Sequence, residues 1–321
     1  MSSTVPATRL NADLIIGSRG SALALRQAEW VKAQLEQAFP ARRVAIQIIK
    51  TTGDAILDAP LSKIGGKGVF TKEIEEALLA GVADLAVHSL KDLPTRLPEG
   101  LTLGCVTRRE DVRDALVARE GIQSLDDLPP KSVIGTSSLR RQAQLLARRP
   151  DLQLADLRGN VGTRLQRLEE GRYDAIILAS AGLIRLGFES RIAQRIPTDV
   201  MLPAVGQGAL GIEIREQDAA TREVVQVLAH HVTWRACEAE RSFLHGLGGG
   251  CQVPIAAHAA VDNEGRLRLR GLVACTDGTR LVQDELTGDA RFAEDIGKEL
   301  AERVLAQGAA KLLDELDAQT P

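Results

Sequence analysis

Aromatic residues are scarce in this chain of 321 residues, where they make up 2% of the sequence. Single-stranded nucleic acids are usually bound by stacking their bases on aromatic side chains, and few such platforms are available here. The formal net charge is -3, so no overall positive field would draw the protein to nucleic acid or to an anionic membrane surface. We therefore expect neither a nucleic-acid partner nor a membrane partner.

Long hydrophobic runs are also missing. No stretch reaches the roughly 18 apolar residues of a transmembrane helix, and residues 1–10 lack the basic and apolar regions of a secretion signal. The four cysteines are far apart, and none forms a CxxC pair or lies at a metal-ligand spacing from a histidine. These absences predict a cytoplasmic protein without disulfides and without a metal site.

The order of the predicted elements indicates two α/β lobes followed by a smaller domain. Over the first two-thirds of the chain, short apolar runs alternate with amphipathic helices, which is typical of βαβ units around a mainly parallel sheet. The pattern restarts after a charged segment at residues 108–114, which indicates a second lobe related to the first. Beyond His231 a helix, a glycine loop, hairpins and a long helix predict an α+β domain of roughly 90 residues.

The periodicity and the turn signals give approximate bounds for these elements. Strands are predicted at residues 14–17, 44–49, 84–88, 133–135, 152–157, 175–179 and 212–214. Helices are predicted at residues 23–35, 71–80, 138–148, 161–170, 233–245 and 290–316. The glycine-rich segment 61–69, with Lys63 and Lys67, could act as a mobile lid.

Familiar nucleotide and hydrolase motifs give no support here. Residues 206–211 fit the pattern GxGxxG, but they precede a predicted strand, whereas a dinucleotide site needs a strand before the glycines and a helix after them. No GxSxG turn supports a serine hydrolase. Neither activity is predicted.

Arginine is placed unusually. Lysine is absent between Ser132 and Gly297 while arginine is abundant there, and genomic base composition would explain most of the surface arginines. Others follow predicted strands or open helices, namely Arg19, Arg140, Arg141, Arg158 and Arg164. Ligands of open α/β sheets bind at the carboxyl ends of strands, where helix N-termini and guanidinium groups favour carboxylates. We therefore predict a ligand with many carboxylates, held in a cleft between the lobes.

Two further segments carry candidate chemistry. Lys91 and Asp92 follow another predicted strand, where Asp92 could stabilise a developing positive charge, although a lone Lys-Asp pair is usually a solvated turn. His88 in the same segment is interpreted as a packed strand residue without a role. Cys251 follows three glycines on an accessible loop, and nearby arginines would favour its thiolate. Nucleophilic use or covalent attachment is credible; a plain glycine linker is an equal alternative from this segment alone.

Taken together, these segments closely resemble the porphobilinogen deaminase family. The similarity runs in the family's order and spacing from about residue 14 to the C-terminal helix. The matching segments are residues 18–21 (SRGS), 63–68 (KIGGKG), 88–94 (HSLKDLP), 135–141 (GTSSLRR), 157–164 (LRGNVGTR), 179–187 (ASAGLIRLG), 202–208 (LPAVGQG) and 249–254 (GGCQVP).

The resemblance implies a particular domain organisation. Domain 1 would be discontinuous, at residues 9–107 and 203–228, with domain 2 at residues 108–202 between its two parts. Both would be α/β lobes like those of periplasmic binding proteins. Domain 3, at residues 229–321, would be a smaller α+β domain carrying Cys251. The family also suggests a monomer.

The resemblance implies an activity as well, that of a transferase of tetrapyrrole biosynthesis. Cys251 would hold a dipyrromethane cofactor by a thioether bond. Four molecules of the substrate porphobilinogen would be added head to tail, each losing ammonia. Water would then release the linear product hydroxymethylbilane.

Individual residues receive roles from the same resemblance. Asp92 would stabilise the azafulvenium cation formed when ammonia leaves, and Arg158 would help with proton transfer. Contacts to the cofactor are implied for Lys91, Asp92, Thr136, Ser137, Ser138, Arg140, Arg141, Arg164 and Ala179. Contacts to the incoming substrate are implied for Arg19, Ser21, Arg158, Arg185 and Gln207. Lys63, Lys67 and Phe70 would belong to the lid.

Two alternatives share some of these features. A two-lobed protein that binds an anionic solute without catalysis would use the cleft and the arginines, but it has no use for the Cys251 loop. A DNA-linked effector domain would need a helix-turn-helix, and none is evident.

Overall fold

The structure is a computed structural model that describes residues 12–55, 71–248 and 253–319. These residues divide into two compact units. The first contains the described residues up to Arg109 together with Ala209–Trp234, and the second contains Glu110–Gly208 with the described residues from Arg235 onward. The first unit is thus built from two separate stretches of chain. The three-domain bounds given above stay a prediction.

The first unit is an α/β lobe with one five-stranded sheet. In sheet order, the strands are β2 (Val44–Ile48), β1 (Leu14–Ser18), β3 (Leu85–Ser89), β10 (Leu210–Arg215) and β4 (Leu101–Val106). The helices are α1 (Ala22–Ala38), α2 (Thr52–Ala55), α3 (Lys72–Leu79) and α7 (Ala219–Val225). β1 pairs parallel with β2 and β3, whereas β10 pairs antiparallel with β3 and β4. We call this unit the first lobe.

The second unit contains another five-stranded sheet, which with its helices forms the second lobe. In sheet order, the strands are β7 (Gln153–Ala155), β6 (Val133–Gly135), β8 (Ala175–Ala179), β5 (Asp114–Ala118) and β9 (Gln194–Ile196). The helices are α4 (Leu139–Arg148), α5 (Val161–Glu169) and α6 (Ser180–Arg185). β6 pairs parallel with β7 and β8, whereas β5 pairs antiparallel with β8 and β9.

The two lobes share the same spatial order of strands and the same pairing directions, and an equivalent carboxylate fixes each sheet. Asp84 precedes β3 and accepts a hydrogen bond from the Ile15 N–H of β1, at 2.9 Å. Asp174 precedes β8 and accepts one from the Val133 N–H of β6, at 2.7 Å. Each aspartate also pairs with an arginine at the end of the neighbouring antiparallel strand, in the pairs Asp84–Arg215 and Asp174–Arg119. The expected kinship of the lobes is therefore confirmed in topology.

A smaller sheet follows in the second unit. It is antiparallel, with the strands β11 (Ile255–Val261), β12 (Arg266–Ala274) and β13 (Leu281–Asp289). The helices of this C-terminal domain are α8 (His231–Gly246), α9 (Ala293–Val304) and α10 (Ala310–Gln319). Their apolar faces bury a separate core around Phe243, Leu269 and Leu300, each fully buried. The two hairpins that join these strands confirm the predicted ones.

Three expectations about the elements were wrong. The sheets are not mainly parallel, because half of the strand pairings in each lobe are antiparallel. β5, which begins at Asp114, the last residue of the charged segment, was not predicted as a strand. The single helix expected at residues 290–316 is interrupted between α9 and α10, where Gly308 adopts a left-handed φ of 112°. None of the described helices combines the length and the apolar character needed to cross a bilayer.

One hairpin glycine lies directly against a helix of the second lobe. Gly278 has a φ of 72°, and a Cβ added there would lie 2.6 Å from the Ala143 carbonyl oxygen in α4. Gly265, in the other hairpin, has a φ of 78° but no heavy atom within 4 Å of such a Cβ. A side chain at Gly265 would therefore meet backbone strain alone, whereas a side chain at Gly278 would meet backbone strain and a steric conflict with α4.

We predict that Gly278→Ala lowers the free energy of unfolding much more than Gly265→Ala. The left-handed conformation costs a Cβ-bearing residue about 1–2 kcal/mol at either position, and overpacking against α4 adds about 1–3 kcal/mol at Gly278 alone. Urea unfolding of both variants measures the difference. Equal losses would contradict the packing of this hairpin on α4.

Candidate active site

In the second lobe, three neighbouring parallel strands end at one edge of the sheet. Thr136 and Ser137 follow β6, Arg158 comes shortly after β7, and Ala179 is the last residue of β8. Because β6 lies between β7 and β8, the structure brings these predicted site residues to the same edge. Ligand sites of open α/β sheets occupy this position.

Hydroxyl groups organise the loop between β6 and α4. The Ser137 hydroxyl donates to the Leu157 carbonyl oxygen at 3.1 Å and accepts from the Leu157 N–H at 3.0 Å. This exchange ties the loop to the residue that precedes Arg158. Ser138 lies at the start of α4, and within the described residues its side chain makes no capping hydrogen bond. The N–H groups at this helix start suit a carboxylate ligand.

Arg140 and Arg141 enclose the carboxylate of Asp114, which is fully buried at the start of β5. Arg140 Nη1 lies 2.7 Å from Asp114 Oδ2, and Arg141 Nη2 lies 2.7 Å from Asp114 Oδ1. Arg140 also donates to the Leu202 carbonyl oxygen, and Arg141 donates to that of Ile177. Both arginines are 6% exposed. Much of the donor capacity of these two arginines is used by contacts inside the lobe. Their contact with the cofactor stays a prediction.

The charges of this cluster determine the protonation of Asp114. Burial alone would raise the pKa of Asp114, but Arg140 and Arg141 outweigh it and hold the pKa well below its usual range. Gln207, which is also buried, donates its side-chain amide to Asp114 Oδ1 at 3.0 Å and to the Val112 carbonyl oxygen at 2.8 Å. The amide of Gln207 therefore orients Asp114. Its predicted contact with the substrate stays a prediction.

The other arginines of the second lobe are less enclosed. Arg164 donates from Nε to the Gly159 carbonyl oxygen at 2.8 Å, so its side chain folds back over the loop before α5. Arg185 donates from Nη2 to the Gly208 carbonyl oxygen at 2.7 Å. Burial lowers the pKa of Arg185 to about 10, which leaves it charged at neutral pH. Arg158 is half-buried.

The first lobe presents a different set of side chains at its equivalent edge. Arg19 follows β1, and Ser21 caps α1 by accepting a hydrogen bond from the Ala24 N–H at 3.3 Å. Lys91 and Asp92 belong to a 3₁₀ turn directly after β3, which is the neighbour of β1. Lys91 is half-buried, whereas Asp92 is exposed. The structure thus places the predicted catalytic carboxylate where a ligand could reach it.

Several contacts that the sequence did not reveal hold this turn in place. The Leu90 N–H donates to the Ala209 carbonyl oxygen at 3.0 Å, and Gln27 of α1 donates from Nε2 to the Ser89 hydroxyl at 2.9 Å. His88 is packed in β3, as interpreted, but its Nε2 lies 2.9 Å from a carboxylate oxygen of Glu213. A glutamate inside the apolar run of β10 was the signal that could have pointed to this pair.

Four of the predicted residues lie outside the described residues, namely Cys251, Lys63, Lys67 and Phe70. Cys105, Cys237 and Cys275 are free thiols, the first two buried. Burial raises the pKa of Cys105 to about 12, so this thiol is inert. Within the part of the chain that the structure describes, no group of three acidic, histidine or cysteine side chains could hold a metal ion.

The fold and these edges define an α/β protein whose lobes present basic and hydroxyl side chains suited to a ligand with carboxylates. Residues 14–223 match the family model "Porphobilinogen deaminase, dipyromethane cofactor binding domain". Residues 234–306 match the model of the C-terminal domain of the same enzyme. The chain belongs to the porphobilinogen deaminase family. The predicted family and its dipyrromethane cofactor are thereby confirmed.

Curated relatives agree with this assignment. The porphobilinogen deaminase of Prochlorococcus marinus subsp. pastoris is 53% identical over 95% of this chain and 97% of its own. That of Synechococcus elongatus is 54% identical over 94% of this chain and 95% of its own. Since these relatives are enzymes matched over nearly their full length, the alternative of a solute-binding protein without catalysis loses its support.

Solved structures of low identity also match. The periplasmic aliphatic sulphonate binding protein of Escherichia coli is 14% identical, with 72% of this chain and 69% of that one covered and a TM-score of 0.39. The second substrate-binding domain of a putative amino acid ABC transporter from Streptococcus pneumoniae is 12% identical, with 73% and 94% covered and a TM-score of 0.41. These scores are too low to carry an argument about function.

We predict that Asp114→Asn lowers the free energy of unfolding by about 3–5 kcal/mol at pH 7, because it leaves two buried guanidinium groups without their counter-ion. Since the pKa of Asp114 is lower in the folded than in the unfolded state, this carboxylate stabilises the fold above its unfolded pKa of about 3.9. Its contribution is lost as the pH falls towards the folded value.

Chemical unfolding at several pH values tests this prediction. The difference between the wild type and Asp114→Asn should narrow below about pH 4. The control is Asp126→Asn, which removes an exposed partner 3.4 Å from Arg148 and should change the stability little. A difference that stays constant down to pH 2 would contradict the ion cluster.

Proposed function

We propose that the chain joins four molecules of porphobilinogen head to tail, with loss of ammonia at each addition, and that Asp92 is its catalytic carboxylate. The family assignment supports the reaction, and the exposed position of Asp92 at the carboxyl end of β3 supports its role. We also propose that the enzyme acts as a cytoplasmic monomer with domains at residues 9–107 with 203–228, 108–202 and 229–321.

The donor groups of the second lobe fit the dipyrromethane. Its acetate and propionate side chains need hydrogen-bond donors and positive charge. Thr136 and Ser138 offer hydroxyl groups at the start of α4, where the bonds between Ser137 and Leu157 hold the loop in place. Arg158 and Arg164 offer guanidinium groups near α5. When bound through the Cys251 sulfur, the dipyrromethane supplies the pyrrole carbon to which the first substrate is joined.

Asp92 acts on the substrate. When ammonia leaves porphobilinogen, positive charge develops on the pyrrole and is shared by the ring nitrogen. A carboxylate held at hydrogen-bond distance from that nitrogen stabilises the charge and accepts its N–H. Asp92 suits this task because the 3₁₀ turn between β3 and Leu93 is anchored at Leu90, which fixes where the carboxylate can lie.

The remaining basic residues bind the carboxylates of the incoming substrate. Arg19 and Ser21 would do so from the first lobe, and Arg158 and Arg185 from the second. Arg185 is charged at neutral pH, since its pKa of about 10 lies well above 7. Arg158 would also assist proton transfer. Lys63, Lys67 and Phe70 would belong to a lid.

We predict that Asp92→Asn keeps the fold and the bound dipyrromethane but lowers kcat by about 100- to 1000-fold, because the amide no longer compensates the developing charge. The rate of product formation and the intact mass measure both halves of this statement. Glu99→Gln, which changes an exposed carboxylate of the same lobe, should leave kcat unchanged. A near-normal rate in Asp92→Asn would remove Asp92 from this role.

We predict that Cys251→Ser gives a protein whose intact mass lacks the two-pyrrole adduct, because a serine hydroxyl cannot form the thioether. The wild type and the control Cys275→Ser should both carry the adduct when they are produced with porphobilinogen available. Ehrlich's reagent, which detects bound pyrroles, gives a second readout. An adduct that persists on Cys251→Ser, or a wild type without one, would contradict the proposed attachment.

A further inference from the structure

Three ionisable side chains form a buried cluster in the first lobe, and the reaction described above does not use them. Glu75 lies on α3, His88 on β3 and Glu213 on β10, with exposed fractions of 8%, 6% and 0%. His88 Nε2 is 2.9 Å from Glu213 Oε2. Within the described residues, the Oε1 atoms of Glu75 and Glu213 have no hydrogen-bond partner. We call these three residues the buried triad.

The electrostatics of the buried triad are unfavourable for stability. Burial raises the pKa of Glu75, and the neighbouring Glu213 acts in the same direction, while the Thr71 hydroxyl and His88 oppose the shift. Carboxyl groups buried without a full set of hydrogen bonds cost free energy relative to apolar side chains of similar volume. A cluster of this kind therefore calls for a reason other than folding.

The second lobe shows what the fold needs at the same positions. Asp84 and Asp174 align the two lobes, and the residue four places further on is His88 in one lobe and Leu178 in the other. Arg215 corresponds to Arg119, so Glu213 corresponds to Val117, two residues earlier in each lobe. Gly81 corresponds to Gly171, so Glu75 corresponds to Leu165, six residues earlier in each lobe.

The three equivalents in the second lobe form part of an ordinary apolar core. Leu165, Leu178 and Val117 are at most 4% exposed and belong to a single buried cluster. The same topology is thus built with a leucine–leucine–valine set in one lobe and a glutamate–histidine–glutamate set in the other. The polar set is not required by the architecture.

The two lobes differ in the element that comes directly after the central strand. After β8 the chain enters α6, whereas after β3 it enters the turn that carries Lys91 and Asp92. His88 precedes Asp92 by four residues, and its contact with Glu213 joins β3 to β10 just before that turn. The Leu90 N–H then bonds to the residue that precedes β10. The polar set therefore lies in the lobe that holds the catalytic carboxylate, beside its anchor.

We propose that Glu75, His88 and Glu213 are positioning residues for Asp92. The buried triad holds the end of β3 against β10, and so it fixes the direction in which the chain leaves β3. That direction sets where the Asp92 carboxylate meets the substrate nitrogen. None of the three touches the reacting atoms. This proposal rests on the role assigned to Asp92 above.

The second lobe supplies the test, because its residues can be copied into the first. The triple variant Glu75→Leu, His88→Leu, Glu213→Val should fold, keep the two-pyrrole adduct and show a Tm equal to or above that of the wild type. Its kcat should fall about 10- to 100-fold, as expected when a catalytic group is misplaced. KM should change little, since the lost interaction forms only in the transition state. Amide hydrogen exchange should accelerate at residues 90–92.

Combination with Asp92→Asn distinguishes positioning from a general effect. If the buried triad acts through Asp92, adding Asp92→Asn to the triple variant should cost much less than it costs in the wild type. Ile74→Val, a fully buried change next to Glu75, is the control for destabilisation alone and should leave kcat unchanged. Losses that simply multiply would overturn the proposal, as would a triple variant with normal kcat.

A triple variant that fails to fold would be replaced by Glu213→Gln, which keeps the volume and removes the charge. It should show the same fall in kcat and the same coupling to Asp92→Asn, and a normal kcat would overturn the proposal.

The role of Asp92 and the role of the buried triad would fail in different ways. If Asp92→Asn itself keeps a near-normal rate, the role of Asp92 fails and this inference fails with it. If only the buried triad can be replaced without effect, Asp92 keeps its role.

Discussion

The carboxylate of Asp114, enclosed by Arg140 and Arg141, determines how the second lobe is assembled. It joins the start of β5 to α4 and accepts a hydrogen bond from Gln207. The two arginines that it orients also donate to the carbonyl oxygens of Leu202, in the chain before β10, and of Ile177, in β8. Two guanidinium groups could not be buried side by side without such a counter-ion. The ligand edge of this lobe therefore depends on a charge that the ligand need not touch.

The first lobe uses the same topology for an opposite requirement. In the proposed reaction its edge holds the carboxylate of Asp92 in place, whereas the edge of the second lobe holds several cations. Electrostatic catalysis is effective only when the groups are oriented before the reaction begins. In the second lobe a buried anion orients Arg140 and Arg141, and in the first lobe hydrogen bonds at Ser89 and Leu90 orient the turn before Asp92.

Sequence reasoning located the parts of the candidate site that depend on local pattern. The starts of α1 and α4 and the ends of β3 and β6 follow from periodicity and from turn residues, so Asp92 and the 136–138 loop could be placed on the correct edges. The buried pairs could not be found in this way. His88 and Glu213 are 125 residues apart, and Gln207 and Asp114 are 93 apart. Their contact depends on antiparallel strands that return from distant parts of the chain.

Burial and ligand binding by Arg140 are compatible on physical grounds. A guanidinium group carries five N–H donors in a fixed plane, and the Asp114 carboxylate uses only one Arg140 nitrogen, Nη1, which it shares with Leu202. A cation oriented by such a pair loses little further conformational entropy when a ligand carboxylate arrives. Loss of Asp114 should therefore weaken the fold and the alignment of these cations together. Loss of the polar set in the first lobe should affect mainly the placement of Asp92, because apolar residues at the equivalent positions already support the second lobe.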